Sequence, residues 1–397
     1  MVGPHAARAD LPRVVVVTCH WGEAIDEETT ATRLVAGALA RRAEVSVVHL
    51  VAPPGEAGCS TDSVFTVHRV PLHGARPLRA GLLRAALGAQ DGGRRLPVGA
   101  AALLDRYEGA APGVSELVRS LAPDSVVLAG HRQPWDLAAL AGPARPRVVA
   151  LPFLDDLQRL ASPGVRRLLE VADALGVAHP GEGRAVLAAL GGRRAGAVVP
   201  LDIALSVNRS ATAARLFGVR FFGRYVLLIR SFPPGGGRFA RSVTHEVLRH
   251  VVRDVSVAEI DDSHWRISDD ENTLELPVNA TRVNLWRLMA HALYTIDLRP
   301  PGPVGREAIE SMLLGTPVVA PEPSAAMEHV AAANGGLWYR DAGELFDASR
   351  ALMDGALRRR LAVQAREYAD AHHGRTDDFV ERMAALVLAP SRAALPR

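Results

Sequence analysis

Residues Asp297 to Pro321 read D-L-R-P-P-G-P-V-G-R-E-A-I-E-S-M-L-L-G-T-P-V-V-A-P. A short apolar segment, Thr295 to Arg299, runs into a Pro/Gly turn, and a helix of about three turns follows. Gly315 stands where it caps that helix, and Pro317 to Ala320 begin another buried strand. The order is strand, loop, helix, strand, which predicts an α/β sheet. Gly302 and Gly305 remove Cβ atoms where the turn meets the helix, so backbone N–H groups there can meet an anion. Glu310, just over one turn in, is within reach of a polar ligand held at that end, while Ile309, Met312 and Leu313 face the sheet. Taken alone, the residues are read more plainly as a tight turn with Glu310 in an ordinary i,i+4 surface pair with Arg306, since glycine turns entering helices are common in α/β folds.

The same order recurs upstream. Arg13 to Thr18 is a continuous β-branched run, as in strands buried on both faces. The loop C-H-W-G-E leads into a helix from about Asp26 to Arg41, and Glu44 to Val51 is the next strand. Loops of such a βαβ unit lie at the carboxyl edge, where sheets bind ligands, so Gly22 is a candidate for an acceptor or phosphate loop. The absence of G-x-G-x-x-G argues against a dinucleotide cofactor. Val64 to Val70 is a third strand. In the Arg-rich region Arg76 to Arg95, Arg79 and Arg84 stand among Leu78, Leu82, Leu83 and Leu87. A solvated helix is the plain reading; a peripheral membrane face or acceptor site is the alternative, although the arginines do not gather on one side. In P-D-S-V-V-L-A-G-H-R-Q-P-W-D-L-A-A-L, Pro123 to Leu140, a strand ends at Ala129 and a helix restarts near Trp135. His131 is thereby left on a loop at the carboxyl edge. Arg147 to Phe153, Ala174 to His179 and Gly196 to Pro200 read as three more strands with helices between them.

A second domain opens at Tyr225 to Arg230. It is followed by S-F-P-P-G-G-G-R-F-A-R, carrying Arg238 and Arg241, and by a helix from about Arg241 to Val251. Val255 to Ile260, Thr273 to Pro277, Thr295 to Arg299, Pro317 to Ala320 and Gly336 to Tyr339 continue its sheet. Asp261 to Asn272 is acidic and polar, a surface loop or hairpin. Leu285 to Leu293, Glu344 to Met353 and Leu357 to His372 are helices, and Thr376 caps a final one, Asp377 to Leu388. The division is a loose tail at residues 1–12, domains at 13–207 and 225–374, a linker at 208–224, and a C-terminal helix within 375–397.

With 397 residues, 48% of them hydrophobic and 22% charged, the chain has core enough for two domains. It contains no Lys, so every fixed cation is an Arg, and the net charge of +3 is too small to suggest a nucleic-acid partner. Cys19 and Cys59 are too few for a disulfide framework or a zinc site. No apolar run approaches the roughly 18 residues of a membrane span, and Met1 to Pro12 lacks a signal core. These features lead us to expect a cytoplasmic protein, with peripheral membrane contact through the first domain left open. Heavy use of Ala, Arg, Gly and Pro fits a high-GC bacterial genome.

The stretch quoted first resembles the nucleotide-sugar motif of family-4 retaining glycosyltransferases. There a Glu, a Gly-aromatic-Gly-aliphatic turn and a second Glu in an L-E-A-M helix precede G-x-P-V-V-A. Ile309-Glu310-Ser311-Met312 stands for L-E-A-M, and Gly315 to Ala320 match throughout. The family's first Glu falls on Gly302, and Arg306 replaces the aliphatic residue. P-D-S-V-V-L-A-G-H resembles P-D-V-V-H-x-H, whose last His lies beside the transferring sugar; for His131 this implies orienting the donor sugar or acceptor by hydrogen bonding. A-D-A-L-G-V-A-H resembles A-D-x-V-I-A-V-S with His179 for Ser, and V-V-P-L-D-I-A-L resembles V-I-P-N-G-V-D. Where the family clamps a diphosphate with Gly-Arg and a later Lys-Gly, this chain has Ile229-Arg230 and then Arg238 or Arg241, whose guanidinium can grip phosphate oxygens in pairs.

The resemblance implies the GT-B fold: two Rossmann-like, doubly wound parallel-sheet domains facing a central cleft, with the terminal helix crossing back to the first. It implies an enzyme that moves a sugar from a nucleotide-sugar donor to a sugar, lipid or small-molecule acceptor with retention of configuration. Arg230, Arg238 and the amides around Gly305 and Arg306 would stabilise the departing diphosphate, and Glu310 would hold the ribose. Neither a metal nor a cofactor beyond the nucleotide sugar is expected. Gly302 keeps open a catalytically degenerate GT-B protein that binds a nucleotide sugar or supports a partner transferase. A sugar-nucleotide epimerase would want further carboxylates, for which Asp155 and Asp156 are the candidates.

Overall fold

The computed structural model describes residues 11–19, 21, 27–51, 58–62, 64–71, 112–130, 145–154, 157–192, 197–212, 224–229, 251, 256–260, 265–268, 273–276, 282–297 and 303–389. They fall in two compact units, one made of residues up to 203 together with those from 377 on, the other of residues 204–376.

The first unit is built on an eight-stranded sheet in the order β3-β4-β2-β1-β5-β6-β7-β8. Its strands are β1 (Arg13–Thr18), β2 (Glu44–Val51), β3 (Gly58–Asp62), β4 (Phe65–Pro71), β5 (Ser125–Ala129), β6 (Arg147–Leu151), β7 (Ala174–Val177) and β8 (Val198–Pro200). The run R-V-V-V-V-T forms β1, whose residues Val14 to Thr18 are all buried, and it pairs in parallel with β2 on one side and β5 on the other. The strand order therefore reverses beside β1, the arrangement that opens a crevice at the carboxyl ends of doubly wound sheets. Among the described strands of this sheet only β3 runs antiparallel to its neighbour, at the sheet's edge. The described helices of this unit are α1 (Glu27–Leu39), α2 (Pro112–Ser120), α3 (Pro163–Val171) and α4 (Pro180–Ala189). Ser162 caps α3 by accepting from the Val165 N–H, with Pro163 in the first turn where its missing N–H does no harm.

The second unit carries a seven-stranded sheet in the order β12-β11-β10-β9-β13-β14-β15. These are β9 (Tyr225–Ile229), β10 (Ser256–Ile260), β11 (Trp265–Ser268), β12 (Thr273–Leu276), β13 (Thr295–Asp297), β14 (Val318–Pro321) and β15 (Gly336–Tyr339). Here β9 is the central strand, parallel to β10 and β13, so this sheet is also doubly wound. The polar segment between Asp261 and Asn272 supplies β11, which joins β10 and β12 in an antiparallel meander; of the loop and hairpin readings, the hairpin is the one found. The helices are α5 (Arg282–His291), α6 (Arg306–Leu313), α7 (Ala325–Ala333), α8 (Ala342–Ala351) and α9 (Gly355–His372).

One more helix, α10 (Thr376–Leu388), follows the second sheet in sequence, yet from Asp377 onward it belongs to the first unit. It buries Phe379, Val380, Met383, Leu386 and Val387. Ser125 Oγ donates to the Val387 carbonyl at 2.8 Å and Arg147 Nε to that of Leu386 at 3.1 Å, so two carbonyls of its last turn find partners on the sheet. Among the described residues no helix is long and apolar enough to cross a membrane. Met383 is fully buried, so Met383→Ala should lower the stability of the first unit by about 2–5 kcal/mol in urea denaturation.

Candidate functional site

Both ends of α6 are fixed by glycines in the left-handed region. At the carboxyl end Gly315 adopts φ +79. The N–H of Gly315 bonds to Met312 O and that of Thr316 to Ser311 O, each at 2.9 Å, the paired closure of a Schellman turn. Arg209 adds its guanidinium to the Leu313 carbonyl at 2.9 Å, a cation at the negative end of the helix. Buried hydroxyls tie this region to its neighbours: Thr295 Oγ1 on β13 lies 2.9 Å from Ser311 Oγ on α6, and Thr316 Oγ1, just beyond α6, donates to Met289 O on α5 at 2.7 Å. At the amino end Gly305 is the N-cap, in the left-handed region at φ 68, ψ 41. A Cβ there would lie 2.8 Å from the backbone N of Ala326, so the position requires glycine for space as well as for conformation.

Glu310 sits inside this helix with 1% of its surface exposed. Its Oε1 accepts from Arg282 Nε and Arg306 Nε, both at 3.0 Å, and its Oε2 accepts from Trp286 Nε1 at 3.0 Å. Arg282 Nη2 also lies 2.5 Å from Oε2, off the hydrogen-bonding direction, so that approach is Coulombic. The same Arg282 gives Nη1 to Glu307 Oε1 at 2.8 Å. Burial works against the Arg282 charge, but Glu307 and Glu310 together outweigh it, and its pKa is raised. Two guanidinium groups thus face two carboxylates, and the local charge sums to zero. The structure therefore brings Gly305, Arg306 and Glu310 together, and the i,i+4 pair of Arg306 with Glu310 is present alongside the contacts from α5.

Sequence reading missed Arg282 and Trp286. Their partner Glu310 lies 28 and 24 residues further on, and the helix was expected to start at Leu285, which left Arg282 outside it. The other expected site residues, His131, Arg230, Arg238 and Gly22, lie outside the described residues. So do Gly302, Arg241, Asp155, Asp156 and the Arg-rich region at 76–95.

In the first unit the described residues at the carboxyl edge of the sheet carry their own chemistry. Trp21, immediately before Gly22, is buried with its Nε1 donating to Asp62 Oδ2 at 3.1 Å; its ring meets Phe65 edge-on at 5.4 Å and lies 5.0 Å from the Arg33 guanidinium. Arg33 in turn pairs with Asp62 at 3.0 Å, so the loop after β1 is anchored to α1 and to the edge strand β3. At the carboxyl ends of β6 and β7, the fully buried Glu182 accepts from the N–H of Leu154 at 2.9 Å and of Ala178 at 2.6 Å. Burial pushes its carboxyl up to about 7, and Glu28 adds to the rise against the two amide bonds. His179, standing where Ser was the expected residue, takes over the capping role: its Nδ1 accepts from the Glu182 N–H at 3.2 Å. Burial, with Arg184 nearby, lowers it to about 4.

A cavity of about 260 Å³ lies at the opposite, amino edge of this sheet, lined by Arg147, Asp173 and Arg382 among others. There Arg147 serves Leu386 O, Arg382 serves Asp202 O at 3.1 Å, and Asp173 is held by Arg145, so the polar groups belong to the docking of α10 and of β7. Among the described residues no group of three or more His, Cys, Asp or Glu side chains could hold a metal ion.

No protein-family model and no curated protein sequence matches the chain. Its fold does match solved structures. The α,α-trehalose 6-phosphate synthase of Burkholderia multivorans aligns over 97% of this chain and 100% of its own, at 14% identity and a TM-score of 0.65. The sucrose-phosphate synthase of Thermosynechococcus elongatus aligns over 94% and 98%, at 15% identity and 0.61. Anabaena HepE, solved in complex with UDP and glucose, aligns over 94% and 98%, at 14% identity and 0.59. With both sheets doubly wound and such neighbours spanning the chain, the fold is GT-B.

Two measurements probe these clusters. Arg282→Met leaves Glu310 buried without its main counter-charge and should cost about 3–5 kcal/mol in urea denaturation. The pair in the first unit has a pH signature. Glu182, raised in the folded state, loses stabilisation as pH rises from about 4.5 to about 7. His179, lowered in the folded state, loses it as pH falls from about 6.5 to about 4. Between about 4.5 and 6.5 the two slopes cancel, so Glu182→Gln should unmask a stability that rises with pH there, by up to about 1.4 kcal/mol per unit relative to wild type. An unchanged pH profile would show that Glu182 is already ionised across that range.

Proposed function

We propose that the protein is a glycosyltransferase that moves a sugar from a nucleotide-sugar donor to an acceptor with retention of configuration. The observation that carries this reading is the second unit's α6. Gly305, Arg306 and Glu310 gather at its start, downstream of the carboxyl end of β13, in a fold that in Anabaena HepE was solved with UDP and glucose. Doubly wound sheets receive their ligands at that edge. In this reading the amides around Gly305 and Arg306 meet the diphosphate, Glu310 holds the ribose, and His131 orients the sugar or the acceptor.

The charge balance around Glu310 adds a requirement. Arg282 and Arg306 are matched there by Glu307 and Glu310, so a diphosphate needs further cations. The chain has no lysine, and Arg230 and Arg238 are the arginines assigned to this role. Preorganised positive charge at the leaving group then supplies most of the rate enhancement, without a divalent metal.

A second reading, a GT-B protein that binds a nucleotide sugar without transferring it, is favoured by Gly302 at the place of the family's first Glu. It is favoured too by the way protein donors already occupy both oxygens of Glu310.

Thermal shift against UDP, GDP, ADP and UDP-glucose tests the binding half. A wild-type chain at one hundred times Kd should gain about 2.7 kcal/mol, and Glu310→Ala should lose most of that gain. No shift with any of these nucleotides would remove the nucleotide-sugar reading. For a nucleotide that binds, release of nucleoside diphosphate from its sugar donor, measured with EDTA present, separates the two readings. Turnover in EDTA supports the transferase, and binding without turnover supports the degenerate protein.

A further inference from the structure

The turn that leads into α6 is gripped from behind by two helices. The imidazole of His329, on α7 and 1% exposed, places Nε2 3.0 Å from the Val304 carbonyl and Nδ1 3.2 Å from the Tyr368 hydroxyl on α9. A carbonyl only accepts, so Nε2 carries the proton, and in the neutral ring Nδ1 accepts from Tyr368. The tautomer is thus set by the two partners, and the chain of bonds runs from Tyr368 through His329 to Val304. The His373 ring packs edge-on against His329 at 5.0 Å, and Tyr368 lies 4.6 Å from the His372 ring, which fixes the relay on its far side. One turn earlier on the same helix, the backbone of Ala325 and Ala326 faces the α carbon of Gly305 with no room for a Cβ. Val304 and Gly305 are therefore held by a hydrogen bond and a close backbone contact that both come from α7, and the first-turn amides of α6 follow directly from that turn.

We propose that His329 is a positioning residue for the diphosphate: by holding the Val304 carbonyl, with Tyr368 behind it, it aims the amino end of α6 at the phosphates. It touches neither donor nor acceptor and acts through the Val304–Gly305 turn. The inference rests on the nucleotide-sugar reading for its ligand, and on geometry alone for the grip.

The test uses three variants of the full chain. His329→Gln keeps an N–H near the place of Nε2, His329→Phe keeps a ring but no hydrogen bond, and Tyr368→Phe removes only the hydroxyl behind Nδ1. Hydrogen exchange at the amides of residues 306–309 is read without ligand. Binding is read by calorimetry with whichever of UDP, GDP and ADP binds the wild type best. Expected are faster exchange and a Kd raised about ten-fold in His329→Phe, near-wild-type values in His329→Gln, and an intermediate loss in Tyr368→Phe. Equal losses in Gln and Phe variants, in step with equal losses of Tm, would show that His329 only fills space and would overturn the proposal. Wild-type exchange and affinity in His329→Phe would overturn it as well. If the wild type binds none of the three nucleotides, the nucleotide-sugar reading fails, while the exchange comparison still decides whether His329 aims the helix.

Discussion

A carboxylate with 1% of its surface exposed has to find its compensation inside the protein, and Glu310 imposes that condition on the second unit. Its answer comes from two directions. Arg306 reaches it from one turn earlier on the same helix, and Arg282 with Trp286 reaches it from α5. Because α5 leads into β13 and α6 follows it, the ion cluster ties together a helix–strand–helix segment whose buried apolar residues include Leu288, Met289, Ile309 and Met312. The glycine at the helix start and the Schellman closure at its end then leave α6 no freedom to slide.

The first unit solves comparable problems with fewer charges. Its central strands need only apolar burial, and the loops at their carboxyl ends are tied by single polar side chains. Trp21 and Asp62 hold the loop after β1, while Glu182 reaches from α4 to two amides on separate loops. Among the described residues the partners of the Glu182 carboxylate are two backbone amides and no cation, and burial raises its pKa, whereas Glu310 meets two guanidinium groups. One sheet edge is thus braced by backbone amides and the other by guanidinium groups.

How much of this was legible follows from range. The apolar runs at β1, β2 and β9, strands of 6, 8 and 5 residues, announce themselves locally, and α6 announces its limits through Gly305 and Gly315. Strand β3, Gly-Cys-Ser-Thr-Asp, has no apolar alternation to read; it exists because β4 offers it an edge. The cage around Glu310 was hidden for a different reason. A carboxylate at i+4 from an arginine looks like a surface pair, and only the packing of α5 on α6 turns it into a buried network. His179 shows the limit of substitution arguments: where serine was expected, an imidazole nitrogen makes the same bond to the same helix start. The interior strands therefore follow from local pattern, whereas the partners that Arg282 and Trp286 supply to Glu310 depend on contacts more than twenty positions away.

The position of α10 carries a consequence for biosynthesis. The sheet of the first unit is complete in sequence by Pro200, but the hydroxyl of Ser125 and the guanidinium of Arg147 find their acceptors only at Val387 and Leu386. A nascent chain thus carries an open apolar seam on its earliest-made half throughout synthesis of the later one, a window in which chaperones or neighbouring ribosome products can reach it. Helix α10 acts as a closing clasp, so the packing of the first unit is finished only after the segment that follows the second sheet has been made.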